Sequence, residues 1–407
     1  MDGAEDSLQL PPPAVVAAAL RTTTERLAHE LADPQHSAPD WSEFEWRAAR
    51  AVAAMHGVSG LLAITLRWRG EAGWQEFLSA QREHIARRHL RIQRLIGLID
   101  SQLRARGIPS LALKGAALHA EGVCQPGERP MGDVDLLVRP EHVEGATEVL
   151  VFLGLRESAR TVRHRVFSPT QSRSPVIFGE HADNDIKVEL HERIIESLPA
   201  RVTDITQYVF PRDARAGLNS YPSAAALMGH LLLHAAGGIV DRSVRLIQLH
   251  DIALLARRLT QADWLQILGW KPWWAFPPLT LTERYYGAVV PDTIRMLARE
   301  LCPFILRRNC VQQLLSDVSL SRLWIDAFPG LAWARSAREA GRYIVRRVVP
   351  NVQLRLDRQQ ELENMPGLAA SDWARLTQRR RILRFLTSRT TRPLSAYNIR
   401  AALTRPR

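Results

Sequence analysis

The segment Asp133–Val138, DVDLLV, limits most strongly what this chain can fold into, because two acids open an otherwise apolar run. The three residues after the acids are wholly apolar, which predicts a buried strand. Residues two apart on a strand point to the same side, so Asp133 and Asp135 share one face at its start. Buried carboxylates are costly unless they are paired or bind a metal. The pair therefore predicts a site for hard divalent cations such as Mg²⁺, with substrate phosphates completing the coordination.

A third acid is expected from the segment IKVELH, residues 186–191. Its apolar residues alternate with polar ones, which predicts a strand with Glu189 on the polar face. If this strand lies beside DVDLLV, three carboxylates converge, as two-metal phosphoryl or nucleotidyl transfer requires. Either Glu189 or Asp135 could then act as the base toward an attacking hydroxyl. Asp183 or Asp185 remains an alternative to Glu189 as the third acid.

The turn Lys114-Gly115-Ala116 follows a short apolar run that reads as a strand and precedes a short predicted helix. A glycine at such a turn lets backbone N–H groups approach a phosphate at the helix N-terminus. Lys114 could neutralise phosphate charge, and Arg129 could do so from the following loop. The predicted nucleotide-binding residues are Lys114, Gly115, Ala116 and Arg129.

Three segments, LALKGAAL, RPMGDVDLLV and KVELH, together resemble the nucleotidyltransferase family of the DNA polymerase β-like superfamily, in particular its poorly characterised bacterial members with a Lys-Gly turn. The resemblance extends over about residues 41–260. It implies that Gly115 takes the part of the glycine that binds the triphosphate, and that the paired acids and Glu189 bind two metal ions. The superfamily's serine after this glycine is Ala116 here, so its hydroxyl contact to phosphate is absent.

The leading functional hypothesis is an enzyme that transfers a nucleoside monophosphate from an NTP, with ATP as the expected donor, to a hydroxyl of a small molecule or protein. Mg²⁺ or Mn²⁺ would be the cofactor and pyrophosphate the second product. One alternative is a catalytically weak or inactive nucleotide-binding or regulatory protein of the same fold, indicated by the Gly-Ala turn. Another is an Arg-rich nucleic-acid-binding protein, since the formal net charge is +12 and such charge attracts polyanions. No recognised nucleic-acid module accompanies that charge.

The pattern predicts an α+β fold, in which a small mixed β-sheet nucleotidyltransferase core is flanked by N-terminal and C-terminal helical domains. Strands are expected at HRVFSP, SPVIFGE and DIKVELHERI, after the helix that Gly154 ends. The expected divisions are a disordered leader at 1–13, a helical region at 14–106, the nucleotidyltransferase core at 107–200, a helical domain packed on it at 201–300, and a C-terminal helical region with a basic tail at 301–407.

The segment HLLLH places His230 and His234 on one helix face. A zinc metalloprotease would need glutamate at the second position, which is Leu231, so that class is excluded. The two histidines are expected either to be structural or, with Asp251, to face the cleft and contact nucleotide or acceptor. His191 is expected either to pack within its strand or to support the metal ligands.

Three cysteines and no CxxC motif favour a reducing cytoplasm over a disulfide-bonded protein. The N-terminal residues carry no secretory signal pattern. No apolar run is expected to reach the roughly 18–20 residues that a membrane span needs. The tryptophans between residues 264 and 274 are expected to pack inside the protein.

Overall fold

The computed structural model describes residues 10–161, 163–171, 178–199, 201–350, 376–387, 389–392, 395–396 and 399–401. Its centre is a six-stranded mixed sheet with helices on both faces, which confirms the expected α+β fold. Strand order is β3-β4-β5-β2-β1-β8, and β6 and β7 form a separate hairpin. The strands are β1 (Pro109–Ala112), β2 (Asp133–Val138), β3 (Leu155–Arg160), β4 (His164–Pro169), β5 (Lys187–His191), β6 (Ile195–Leu198), β7 (Arg201–Asp204) and β8 (Gly217–Asn219).

Helices precede, interrupt and follow the sheet. Among them, α2 begins at a capping box formed by Ser42 and Glu45, and α8 begins where Ser223 accepts from the Ala226 N–H. The helices are α1 (Pro13–Ala32), α2 (Glu43–Met55), α3 (Ser59–Thr65), α4 (Ala72–Ala105), α5 (Lys114–Ala120), α6 (Val143–Phe152), α7 (Thr206–Val209), α8 (Ala224–Asp241), α9 (Leu246–Ala256), α10 (Gln261–Gly269), α11 (Phe276–Tyr286), α12 (Asp292–Leu301), α13 (Phe304–Cys310), α14 (Leu315–Val318), α15 (Ala337–Val348) and α16 (Gln378–Thr387).

Strand β2 lies in the middle of the sheet, and its two faces join different hydrophobic cores. Val134 and Leu136 pack in a core with residues of α4 and α6, whereas Leu137 joins the larger core built by α8 and its neighbouring helices. Alternate residues of a strand point to opposite faces, so Asp133 and Asp135 lie on the Leu137 side. The two acids therefore face the helical region that contains α8.

Helix α8 is the element that comes closest to a membrane span. It has 18 residues with a mean hydropathy of 1.3, which is long and apolar enough by length and composition. No uninterrupted apolar run of this length was expected, and α8 reaches it only with His230, His234 and Asp241 inside the helix. However, 78% of the helix is buried inside the protein, as is typical of a core helix. Helices α2 and α3 are together long and apolar enough to span a membrane, but the chain bends by 113° between them.

Several elements differ from the sequence-based expectation. Strands β3, β6, β7 and β8 were not predicted. Strands β6, β7 and β8 have only three or four residues, and β3, LRESAR, lacks apolar alternation at the sheet edge. Most of the expected strand SPVIFGE lies outside the described residues, and the part that is described, residues 178–180, is not a strand. The basic C-terminus, for which no clear fold was expected, contains α16. Trp264 and Trp274 are 2% and 3% exposed, which confirms that they are core residues.

Candidate active site

The three predicted acids converge on one face of the sheet. Strands β2 and β5 are parallel neighbours, and their register pairs Asp135 with Glu189. Adjacent strands are about 4.8 Å apart, so these two side chains stand next to each other. Asp133 lies two residues before Asp135 on the same face, at the start of the strand. The expected convergence of three carboxylates is therefore present in the fold.

The two alternative third acids, Asp183 and Asp185, precede β5 and do not pair with the acid-bearing residues of β2. Asp183 is in the loop before β5, with its side chain 78% exposed and 3.8 Å from His181. Asp185 also precedes the first residue of β5, Lys187, which pairs with Asp133. Glu189 therefore occupies the position beside the paired acids.

Lys114 brings a positive charge to the acids. It is the first residue of α5 and has a φ of +47°, in the left-handed region that non-glycine residues seldom adopt. The preceding Leu113 N–H donates to the Asp135 carbonyl oxygen at 3.0 Å, which fixes the turn to β2. Lys114 Nζ then donates to Asp135 Oδ1 at 2.8 Å. Burial alone would lower the pKa of Lys114, but Asp135, Asp133 and Glu189 raise it, so the ammonium stays charged.

His191 contacts the acids instead of packing within its strand. Its Nε2 lies 3.0 Å from Asp135 Oδ1 and 3.6 Å from Glu189 Oε2. Burial would lower the pKa of His191, but the hydrogen bond to Asp135 and the nearby Glu189 carboxylate raise it above its ordinary value. Of the two expectations for this residue, the contacts favour support of the acids.

The three acids differ in proton affinity because their partners differ. Burial and the neighbouring charges of Asp135 and Glu189 raise the pKa of Asp133 to about 6. Although Asp135 is buried, Lys114 and His191 hold its pKa well below the ordinary value. Glu189 is also buried, yet the nearby His191 imidazole lowers its pKa. At neutral pH the cluster is therefore largely ionised, and such a concentration of oxygen ligands fits a divalent cation. The low pKa values make Asp135 and Glu189 weak bases.

Position 115 requires glycine because the Arg129 side chain packs closely against the backbone of the turn. A Cβ at this position would lie 2.4 Å from Arg129 Nη1. The Arg129 guanidinium in turn donates from Nε to Asp251 Oδ1 at 2.9 Å and from Nη2 to Asp251 Oδ2 at 2.8 Å. Asp251 is 1% exposed, so this is a buried ion pair. Ala116 packs its methyl group in the core with α4 and α6.

These contacts correct two expectations. Arg129 was expected to neutralise phosphate and Asp251 to face the cleft, but the structure pairs them with each other beneath the Gly115 turn. The reason is electrostatic, because a buried charge is stable only with a partner. The side chain of Ala116 likewise faces the core, which leaves its backbone as the part that a phosphate could approach.

His230 and His234 on α8 line a cavity of about 120 Å³ together with Glu189. His230 Nδ1 is 2.7 Å from the Tyr221 hydroxyl, and His234 Nδ1 is 3.6 Å from Glu196 Oε1. Burial and the charge of Lys114 hold the pKa of both histidines well below the ordinary value. They therefore present neutral imidazoles to the cavity, which fits the expectation that they face the cleft. The cavity is lined by Lys114, Arg163, His164, Glu189, His191, Arg193, Ile194, Ile195, Glu196, His230, Leu233 and His234.

Arg88 is a positioning residue that the sequence analysis missed. It lies on α4 and is 3% exposed. Its guanidinium donates to the carbonyl oxygens of Met131, Gly132 and Asp185, at 3.0, 2.9 and 2.9 Å. These groups immediately precede β2 and β5, so one side chain holds the entrances of both acid-bearing strands. One arginine among many on an amphipathic helix gives no sequence signal for this role.

Two further residues were missed. His164 on β4 pairs in register with His191 on β5, which places its ring beside the acids. His164 belongs to the predicted strand HRVFSP, but the sequence did not indicate which strand would pair with it. Arg245 precedes α9 and is exposed. Its positive charge partly offsets the rise in the pKa of Asp133.

Comparison with known protein families identifies the family of this chain. Residues 42–269 match the model of a family described as an uncharacterised nucleotidyltransferase. This span contains every acid and histidine of the site described above. No curated protein and no solved structure matches the chain.

Proposed function

Because the chain belongs to this family of uncharacterised nucleotidyltransferases, we propose that it transfers a nucleoside monophosphate from an NTP to a hydroxyl of a small molecule or protein. Pyrophosphate is the second product, ATP is the expected donor, and Mg²⁺ or Mn²⁺ is the expected cofactor. The observation that carries the proposal is the register of β2 and β5, which sets Glu189 beside Asp135 with Asp133 on the same face. Three acids arranged in this way suit the two-metal chemistry of nucleotidyl transfer.

The residues fit a divalent cation by charge and by donor type. Asp133, Asp135 and Glu189 would hold the metal ions, whose oxygen-rich ligand preference they meet. The mutual repulsion that raises the pKa of Asp133 would be relieved by a cation. When bound, the ions neutralise phosphate charge and lower the pKa of the attacking hydroxyl. The proposal therefore needs no strong protein base, in accord with the lowered pKa values of Asp135 and Glu189.

Two positive groups serve the donor's phosphates in this proposal. Lys114 lies at the acids and borders the cavity, so its ammonium would contact the triphosphate next to the metal. The exposed Arg245 stands near Asp133 and would attract the incoming anion. The Gly115 turn would contribute backbone N–H groups, while Arg129 holds the turn from behind. The acceptor would enter through the cavity lined by His230, His234 and Glu196.

Pyrophosphate release tests the proposal. Purified protein is incubated with each of the four NTPs and with Mg²⁺ or Mn²⁺, in the presence of small-molecule and protein fractions as acceptors. We expect release with wild type and a loss of at least about 10³-fold in the Asp133→Ala/Asp135→Ala variant, on the scale of removing preorganised charge from an active site. Glu141→Ala, an exposed acid just after β2, is the control and keeps full activity. Equal rates in wild type and the double variant would overturn the proposal.

A further inference from the structure

A second cluster of metal-ligating atoms adjoins the three acids, and it contains nitrogen. His164, Glu189 and His191 each offer one ligand atom, and the three atoms lie within 4.8 Å of one another. Two adjacent antiparallel strands supply them. His164 on β4 pairs in register with His191 on β5, and Glu189 precedes His191 by two residues on the same face. The cluster is thus built by the backbone of the central sheet.

The distances between the ligand atoms suit a single bound ion. His164 Nε2 and His191 Nε2 each lie 3.6 Å from Glu189 Oε2. A tetrahedral ion about 2.1 Å from each ligand sets neighbouring ligand atoms roughly 3.4 Å apart. Asp135 Oδ1 is 3.0 Å from His191 Nε2, which makes it available as a fourth ligand. Only small side-chain adjustments are then needed to close the site around an ion.

The charge and surroundings of the cluster also favour a divalent cation. Binding an ion requires both imidazoles to be neutral. The three acids and Lys114 then carry three negative charges and one positive charge, which leaves two negative charges for the ion to balance. His191 is 9% exposed at its side chain, and those of His164 and Glu189 are 18% and 21% exposed. The ligands are therefore held in place by packing, while the cavity gives an ion access.

We infer that His164, His191 and Glu189, with Asp135 as the fourth ligand, form a site for one first-row transition-metal ion. This site adjoins the proposed Mg²⁺ site and shares Asp135 and Glu189 with it. Two imidazoles with carboxylate oxygen favour Zn²⁺ and Mn²⁺ over Mg²⁺, which prefers oxygen ligands alone. The order of affinity is Zn²⁺ above Mn²⁺. This inference rests on the proposed function and deepens it, because the site lies in the same cleft and uses two of the three acids, Asp135 and Glu189.

Metal content after reloading tests the inference. Tag-free protein is stripped with a chelator, dialysed against equal concentrations of Zn²⁺ and Mg²⁺, desalted and measured by inductively coupled plasma mass spectrometry. Wild type is expected to retain about one Zn²⁺ per chain and no Mg²⁺. His164→Ala and His191→Gln are expected to weaken Zn²⁺ binding at least about tenfold, with thermal melts confirming that each variant is folded.

Two control variants locate the ion. Asp133→Asn keeps the zinc, because Asp133 does not contact either histidine. His181→Ala also keeps it, although His181 lies against His84 with the ring centroids 4.2 Å apart and so forms another histidine pair. Loss of zinc in His181→Ala with retention in His164→Ala would overturn the inference, as would a wild type that retains no zinc.

The failures of the two proposals are distinguishable. A protein that releases pyrophosphate in Mg²⁺ but retains no zinc keeps the proposed function and loses the transition-metal site. A protein that retains one zinc through His164 but releases no pyrophosphate keeps the site and loses the proposed function.

Discussion

Asp135 on β2 lies in register with Glu189 on the parallel strand β5, and this pairing assembles the candidate active site. Neither residue is adjacent to the other in sequence, and both are ionised because Lys114 and His191 stabilise their charges. The first prediction concerns the third acid. Glu189→Gln keeps the shape of the side chain but removes its charge, so we expect pyrophosphate release to fall by about 10²-fold or more.

The matched control for this variant is Asp183→Asn, an alternative third acid whose side chain is 78% exposed. It should leave the rate of pyrophosphate release within about twofold of wild type, since a solvent-exposed carboxylate contributes little. A larger loss in Asp183→Asn than in Glu189→Gln would assign the third acid to the loop before β5.

The Gly115 turn is predicted not to tolerate a side chain. Gly115→Ala would place a Cβ 2.4 Å from Arg129 Nη1, so either the turn or the buried guanidinium must move. We expect the free energy of unfolding to fall by about 1–3 kcal/mol, as for overpacked cores. Urea denaturation measures it.

Gly97→Ala on α4 is the opposite case, because nothing lies within 4 Å of its Cβ position. Since alanine is the better helix former, this variant should gain about 0.5–1 kcal/mol. Equal effects of the two substitutions would show that Arg129 does not restrict the turn.

The buried pair of Arg129 and Asp251 is predicted to be a major contributor to stability. Asp251→Asn leaves the guanidinium buried without its counter-charge, which should lower the free energy of unfolding by about 3–5 kcal/mol. Glu83→Gln removes an exposed ion pair with Arg87, whose side chains are 63% and 59% exposed, and should cost less than about 1 kcal/mol. Similar losses in both variants, measured by urea denaturation, would contradict a buried role for Asp251.

Asp133 is predicted to lower the stability of the chelator-treated protein. The fold raises its pKa from 3.8 to about 6, so the folded state prefers the protonated acid. Its contribution to stability is favourable below about pH 4 and is lost as the pH rises through 6. Asp133→Asn removes this penalty and should raise the melting temperature at pH 7 by roughly 2 °C, on the order of 1 kcal/mol.

The difference in melting temperature between Asp133→Asn and wild type should be smaller at pH 4.5, because wild-type Asp133 is then mostly protonated. Differential scanning calorimetry of wild type and Asp133→Asn, each in the presence of chelator, measures the difference in melting temperature at pH 7 and at pH 4.5. A variant that melts below wild type at pH 7 would show that the Asp133 charge is stabilised in the fold instead of being repelled.

The sequence predicted the central strands of the site because their side-chain patterns carry the information. DVDLLV is apolar after its acids and KVELH alternates, so β2, β5 and the position of Glu189 followed from burial and period alone. The strand-to-helix pattern also indicated the Lys114–Gly115 turn, and the family resemblance added the expected triphosphate role of Gly115. The match over residues 42–269 shows the family at the level of a nucleotidyltransferase. The domain divisions, the metal ions and the nucleotide remain predictions.

What the sequence could not predict depends on tertiary contacts. Asp251 is 122 residues from Arg129, so their pairing leaves no local pattern. His164 became a site residue only through the register between β4 and β5. Arg88 recognises backbone carbonyl groups, which every residue type offers. The edge strand β3 was missed because its side chains are mostly solvent-exposed and therefore carry little apolar alternation.

The most direct test of the nucleotidyl-transfer claim follows the label of ATP into the acceptor fraction, with ATP radiolabelled in parallel at the α- or the γ-phosphate. We expect the acceptor to gain the α label and not the γ label, and to do so only with Mg²⁺ or Mn²⁺. Asp133→Ala/Asp135→Ala should abolish the transfer. Incorporation of the γ label would show phosphoryl transfer, and incorporation of neither label with any NTP and acceptor fraction would contradict nucleotidyl transfer by this protein.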